Sequence, residues 1–188
     1  VQIIYTQIDR DATGRPHFTS YRYNVDSTHY FYPASVVKMP LALLSLEMVN
    51  NMRRSGFPSL DRNTAYRIDS LRPFQQTFSA DTSAPGGLPS IAHDVREIFT
   101  VSDNLAYNRL FELLGREYIN RTLRDKGYSR TGIVHRFNYP DRDNRYASTY
   151  TFFNRSGSVF RQKERFDEQI WDNPQSGTRK GKGYYDTA

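Results

Sequence analysis

Apolar residues recur at Val37, Leu41, Leu44 and Met48, one face of a 3.6-residue period, so the spacing predicts a helix from about Ser35 to Asn51. Gly56 and Pro58 stop it. Upstream, Val1, Ile3, Ile4, Tyr5 and Ile8 mark a strand, residues 11–16 a turn, and His17 to Val25 alternates, with Thr19, Tyr21, Tyr23 and Val25 on one side. The two strands pair as a hairpin that leads to the Ser35 helix. From Phe57 to Pro89 the pattern is irregular and punctuated by Pro and Gly, which predicts loops with room for one short strand or helical turn. Ser90 is a helix cap, and Ile91, Val95, Ile98 and Phe99 follow at helical spacing. After a break at residues 100–103, a helix runs from Asn104 to a stop at Gly115, and another covers residues 116–126 and closes at Gly127. Residues 131–137 read as a short extended piece. Beyond Asn138 the chain is rich in Arg, Asp, Asn, Tyr and Phe without a long period, with one or two helical turns expected over residues 166–171.

The length of 188 residues suits one domain with a real core, or one compact body carrying a smaller lobe, and the 14 Tyr and 12 Phe predict aromatic core and site walls. With no Cys, disulfides, thiolate metal sites and Cys catalysis are excluded. The net charge of +6 comes from Arg scattered among acidic residues, with no basic cluster or nucleic-acid motif, so nucleic acid is not the expected partner. No stretch approaches the roughly 18 apolar residues of a membrane span. His17, His29, His93 and His135 show no metal-ligand spacing; no metal and no cofactor are expected.

Ser35 and Lys38 stand three residues apart at the start of an apolar helix, where the hydroxyl and the amine lie on one side. Burial of the amine disfavours its charged form, and a neutral amine can take the proton of an attacking hydroxyl. The free amides of the helix start suit the oxyanion that such an attack creates. Alone, Ser-x-x-Lys is common and is read as a cap beside a solvated lysine. Ser102-Asp103-Asn104, in the break between two helices, is likewise an ordinary cap when taken alone.

Together, in this order, the two motifs resemble the first two signatures of class A β-lactamases and penicillin-binding proteins. The flanking strings Phe31-Tyr32-Pro33-Ala34 and Leu105-Ala106-Tyr107-Asn108 are similar to that superfamily as well. The resemblance implies an α+β fold of the β-lactamase/transpeptidase type, an antiparallel sheet plus a helical region. It implies Ser35 as acylated nucleophile, Lys38 as proton acceptor, Ser102 as proton relay to the leaving nitrogen, and Asn104 as hydrogen-bond partner of the substrate amide. The third signature, Lys-Thr/Ser-Gly, has only Lys180-Gly181 and Lys182-Gly183 near it, so the chain is expected to be incomplete at its C-terminus. The expected organisation is a β-lactamase-like region over residues 1–137 and an irregular Arg- and aromatic-rich extension of the same domain over 138–188. Class A enzymes carry a water-activating Glu in the loop after the helices; here residues 138–145 hold none, and Asp141 or Asp143 are the candidates to replace it. The expected function is a serine hydrolase acting on amide, peptide or β-lactam-like substrates of cell-wall type, with poor β-lactam turnover, in the periplasm or otherwise exported. The alternative is a catalytically inactive cell-envelope binding or scaffold domain of the same fold.

Overall fold

The computed structural model describes residues 2–28, 32–140 and 144–169. The chain divides into two compact units, one ending at Tyr32 and one beginning at Pro33. The first is the expected hairpin. Strands β1 (Ile3–Arg10) and β2 (Pro16–Tyr23) pair antiparallel from Ile3 opposite Tyr23 to Arg10 opposite Pro16. Period-two alternation puts Ile3, Tyr5, Tyr21 and Tyr23 on one face and Ile4, Ile8 and Phe18 on the other. Tyr5 and Tyr21 stack with ring centroids 5.9 Å apart. The turn is closed by Asp11, whose Oδ1 accepts from the amides of Thr13 and Arg15 at 2.9 and 3.0 Å.

The second unit is built around a central helix. A 3-10 turn over Ala34–Val37 runs into α1 (Lys38–Arg54), followed by β3 (Ala65–Asp69), α2 (Ile91–Val101), α3 (Asn104–Leu114), α4 (Arg116–Asp125), β4 (Tyr146–Ala147), β5 (Thr149–Asn154), β6 (Gly157–Gln162) and β7 (Arg165–Phe166). Helix α3 buries Ala106, Tyr107, Leu110, Phe111, Leu113 and Leu114, most of its circumference, because α1, α2 and α4 all pack on it. Leu41, Leu44 and Val49 are the apolar stripe that α1 contributes. Pro40 has no amide to give the Val36 carbonyl, and the start of α1 is tightened accordingly, with the Lys38 amide donating to the Ser35 carbonyl. Among the described residues no helix is long and apolar enough to cross a membrane.

The sheet has the order β3-β5-β6, all antiparallel, with Tyr66 opposite Phe152 and Phe152 opposite Phe160. Its core is aromatic: the Tyr66 ring lies 5.6 Å from Tyr150 and 5.7 Å from Phe152, centroid to centroid. Residues 65–69 supply the one short strand expected between Phe57 and Pro89. Residues 131–136 pair with no strand; Asn120, fully buried on α4, holds Ile133 there, which donates to its Oδ1 at 2.9 Å and accepts from its Nδ2 at 2.9 Å. One local expectation fails. Phe166 is in a strand rather than a helical turn, since Tyr146–Ala147 pairs with Arg165–Phe166; residues 167–169 are not helical and 170–171 lie outside the described residues.

Asn120 also donates to the Arg116 carbonyl at 2.8 Å. Replacement of Asn120 by Ala leaves the Ile133 amide and carbonyl buried without partners, and should lower stability by about 1–3 kcal/mol, read as a shifted urea midpoint at unchanged slope.

Candidate active site

Two turns meet at the start of α1. Ser35 sits on the 3-10 turn, exposed, directly after Ala34, whose φ of 48° is in the left-handed region that a residue with a Cβ rarely adopts. The second turn is the break between α2 and α3. Ser102 ends α2 with φ 55° and ψ 43°, again left-handed without a glycine. Asp103 then caps α3, its Oδ1 accepting from the Ala106 amide at 2.6 Å. The cap fixes the backbone on either side of it, and the flanking residues Ser102 and Asn104 are aimed at α1. Two strained non-glycine residues at the two halves of one site are what a functional constraint produces.

Lys38 joins the halves. Its side chain is 2% exposed, and Nζ donates to the Ser102 carbonyl oxygen, to Ser102 Oγ at 3.0 Å and to Asn104 Oδ1 at 2.7 Å. Phe137 covers the amine, its ring centroid 5.0 Å from Nζ. All three donors of an ammonium are thereby used. Burial pulls the Lys38 pKa below the ordinary lysine value, against an opposing pull from the Asp103 carboxylate.

The structure therefore brings Lys38, Ser102 and Asn104 into one cluster. Ser35 lies three residues before Lys38, and none of the three Lys38 hydrogen bonds goes to its hydroxyl. Asp141 and Asp143 lie outside the described residues, as do Lys180 and Lys182. Asn144 is buried and accepts from the Arg136 amide at 2.8 Å.

Two site residues escape the sequence reading. Asn108, a buried amide one turn after Asn104, accepts from the Phe137 amide at 2.8 Å and donates to the Phe137 carbonyl at 2.9 Å, which holds Phe137 over Lys38. An Asn four residues after Asn104, on the same helix face, was the signal available. Beside this latch is a cleft of about 340 Å³ walled by Phe74, Gln76, Asn104, Asn108, Phe137 and Tyr139. Its lining is aromatic and amide, the mixture of apolar walls and a few oriented polar groups that suits a small-molecule site.

Behind the site, Asp94 is fully buried on α2. It accepts from Arg109 Nε at 2.9 Å and from the Tyr66 hydroxyl at 2.6 Å, and its ion pair with Arg109 Nη2 closes to 2.7 Å. Arg109 also reaches Glu97 at 3.0 Å. This network ties α2 to α3 and β3 and so holds the Ser102 turn between its two helices.

A buried lysine at a helix start, facing a Ser-Asp-Asn turn within an α+β body, defines a serine hydrolase of β-lactamase-like class. A model of the β-lactamase enzyme family matches residues 16–161, most of the chain and both motifs, and the chain belongs to that family. No curated protein and no solved structure matches it.

Proposed function

We propose that the chain is an acyl-transferring serine hydrolase in which Ser35 is the nucleophile, and that its substrates are amides, esters or peptides of cell-wall type, β-lactams included. The observation that carries this reading is the buried Lys38 amine, held 3.0 Å from Ser102 Oγ and 2.7 Å from Asn104 Oδ1. In its neutral form Lys38 takes the Ser35 proton as Ser35 Oγ attacks the carbonyl carbon. The Ser35 backbone amide, on the 3-10 turn, is the proposed donor to the oxyanion. The proton then passes through Ser102 Oγ to the leaving nitrogen or oxygen, and the Asn104 amide orients the substrate's own amide. Hydrolysis of the Ser35 ester by water ends the cycle. No Glu stands in residues 138–145 to activate that water, so β-lactam turnover is slow and the acyl-enzyme long-lived. A cell-wall substrate and a chain free of Cys both suit an exported protein.

A thioester depsipeptide ending in a D-amino acid tests the reading. Ser35→Ala should lower kcat/KM by at least about 1,000-fold, and Ser102→Ala by about 100-fold or more through loss of the relay. Hydrolysis by Ser35→Ala at the wild-type rate contradicts the proposal. Saturable, reversible binding without turnover by the wild type selects an inactive binding domain instead.

A further inference from the structure

The loop before α2 and the first turns of that helix form a second cluster of chemically active groups that the proposed hydrolysis does not use. His93 and Glu97 are one turn apart on α2, and Asp81 comes to them from the loop. His93 Nε2 lies 3.5 Å from Asp81 Oδ2, 3.4 Å from Glu97 Oε1 and 3.0 Å from Ser83 Oγ. Ser83 Oγ is 3.1 Å from Glu97 Oε1.

Hydrogen bonding accounts for Ser83, whose hydroxyl pairs with His93 Nε2 at 3.0 Å, but not for the approach of both carboxylates to the same nitrogen. A neutral imidazole has one N–H to give, and both carboxylate oxygens stand beyond the about 2.7–3.2 Å of a good N–H···O bond. The separations do match the edges of a metal polyhedron. Four ligands about 2.0–2.1 Å from a tetrahedral centre are about 3.3–3.4 Å from one another. Asp81, His93 and Glu97 can each place one ligand atom within 4.8 Å of the other two.

The outer partners of the two carboxylates are already fixed. Asp81 Oδ1 accepts from the Ser83 amide at 2.9 Å and its hydroxyl at 2.6 Å, which turns Oδ2 toward the imidazole. Glu97 Oε2 accepts from Arg109 at 3.0 Å, which turns Oε1 inward. Such outer hydrogen bonds orient metal ligands. His93 is 4% exposed and the polar contacts of its ring all lie at Nε2; Nδ1 is buried with no hydrogen-bond partner among the described residues, so the outer hydrogen bonds of the cluster are those of the two carboxylates. Ser83 is exposed and leaves a way in from solvent.

We infer that Asp81, His93 and Glu97 form a binding site for one divalent transition-metal ion of the zinc type, with the Ser83 hydroxyl or a water as fourth ligand. One imidazole nitrogen, two carboxylates and a low coordination number suit zinc or cobalt rather than calcium or magnesium, which take six or more oxygens. The ion fastens the loop from Asp81 to α2, the helix that ends at Ser102.

The test uses the full chain freed of metal by a chelator and then titrated with Zn²⁺ by calorimetry and with Co²⁺ by visible absorption. One ion per chain should bind with micromolar or tighter affinity, raise Tm by at least about 5 °C at saturation, and give Co²⁺ the intense visible bands of a four-coordinate site. Asp81→Asn and His93→Gln should each weaken binding by more than the about 10–100-fold that loss of an outer-shell partner costs. His17→Ala, which removes an exposed His–carboxylate pair with Asp11, should leave binding unchanged. No Zn²⁺ uptake at millimolar concentration, binding that persists in Asp81→Asn, or binding abolished by His17→Ala overturns the assignment. The Co²⁺ spectrum of the wild type decides the coordination number even where His93→Gln does not fold.

Discussion

Lys38→Met should slow acylation of Ser35 by about two to four orders of magnitude, the usual worth of a positioned proton acceptor. Methionine keeps most of the volume beneath Phe137 and removes the amine proposed to take the Ser35 proton. The wild-type acylation rate should rise with pH, because only the neutral amine is a base. The midpoint of that rise falls below the ordinary lysine value of 10.5, since burial favours the uncharged form. Lys38→Met should lose this limb, and a pH–rate profile of the two proteins reads it directly. The same shift enters stability. Between the folded-state pKa and 10.5 the unfolded chain holds more protons than the folded one, so stability climbs with pH across that window. In Lys38→Met that part of the climb should vanish. A variant that acylates at the wild-type rate with an unchanged pH profile would remove Lys38 from the chemistry.

Asp94→Ala should cost about 3–5 kcal/mol, the penalty for breaking a buried ion pair by deleting one partner. Asp94 is fully buried, and its removal leaves the Arg109 guanidinium with Glu97 as its one carboxylate partner among the described residues and the Tyr66 hydroxyl without its acceptor. At about 2–4 °C per kcal/mol for a chain of this size, Tm should fall by roughly 10 °C. Burial pushes the Asp94 carboxyl up to about 6, against the pull of Arg109, so it is still a carboxylate at neutral pH. Between the ordinary 3.8 and about 6 the folded state holds more protons than the unfolded one. The Asp94 contribution therefore falls as pH rises through that window and is level above it. Asp94→Asn should flatten this slope in urea denaturation curves taken from pH 4 to 7. The Asp94→Ala, Arg109→Met pair should recover part of the loss, because no charge is then left buried alone. A loss below about 1 kcal/mol in Asp94→Ala would show that the network does not hold α2 against α3.

The helices were readable because their signals are local. Ser90 caps α2, Gly115 separates α3 from α4, and Gly127 follows α4, as periodicity and stop signals require. Strand β5 was not readable from alternation. Thr149, Tyr150, Thr151 and Phe152 are all buried, so the strand presents no solvent face to give a period-two contrast. At the site, Lys38, Ser102 and Asn104 were legible because two short motifs carry them. The Asn108 latch on Phe137 joins residues far apart in sequence through an irregular loop, and the Asp81–His93–Glu97 cluster depends on a loop whose path no periodicity describes. Side chains brought together in this way leave no spacing rule in the chain.

The most direct measurement of the central claim is the intact mass of the protein after exposure to a β-lactam, followed over time beside Ser35→Ala. The expected result is an adduct of one ring-opened β-lactam per chain, carried by the peptide that contains Ser35, decaying slowly and missing from Ser35→Ala. An adduct of equal yield on Ser35→Ala, or one mapped to another residue, would contradict it.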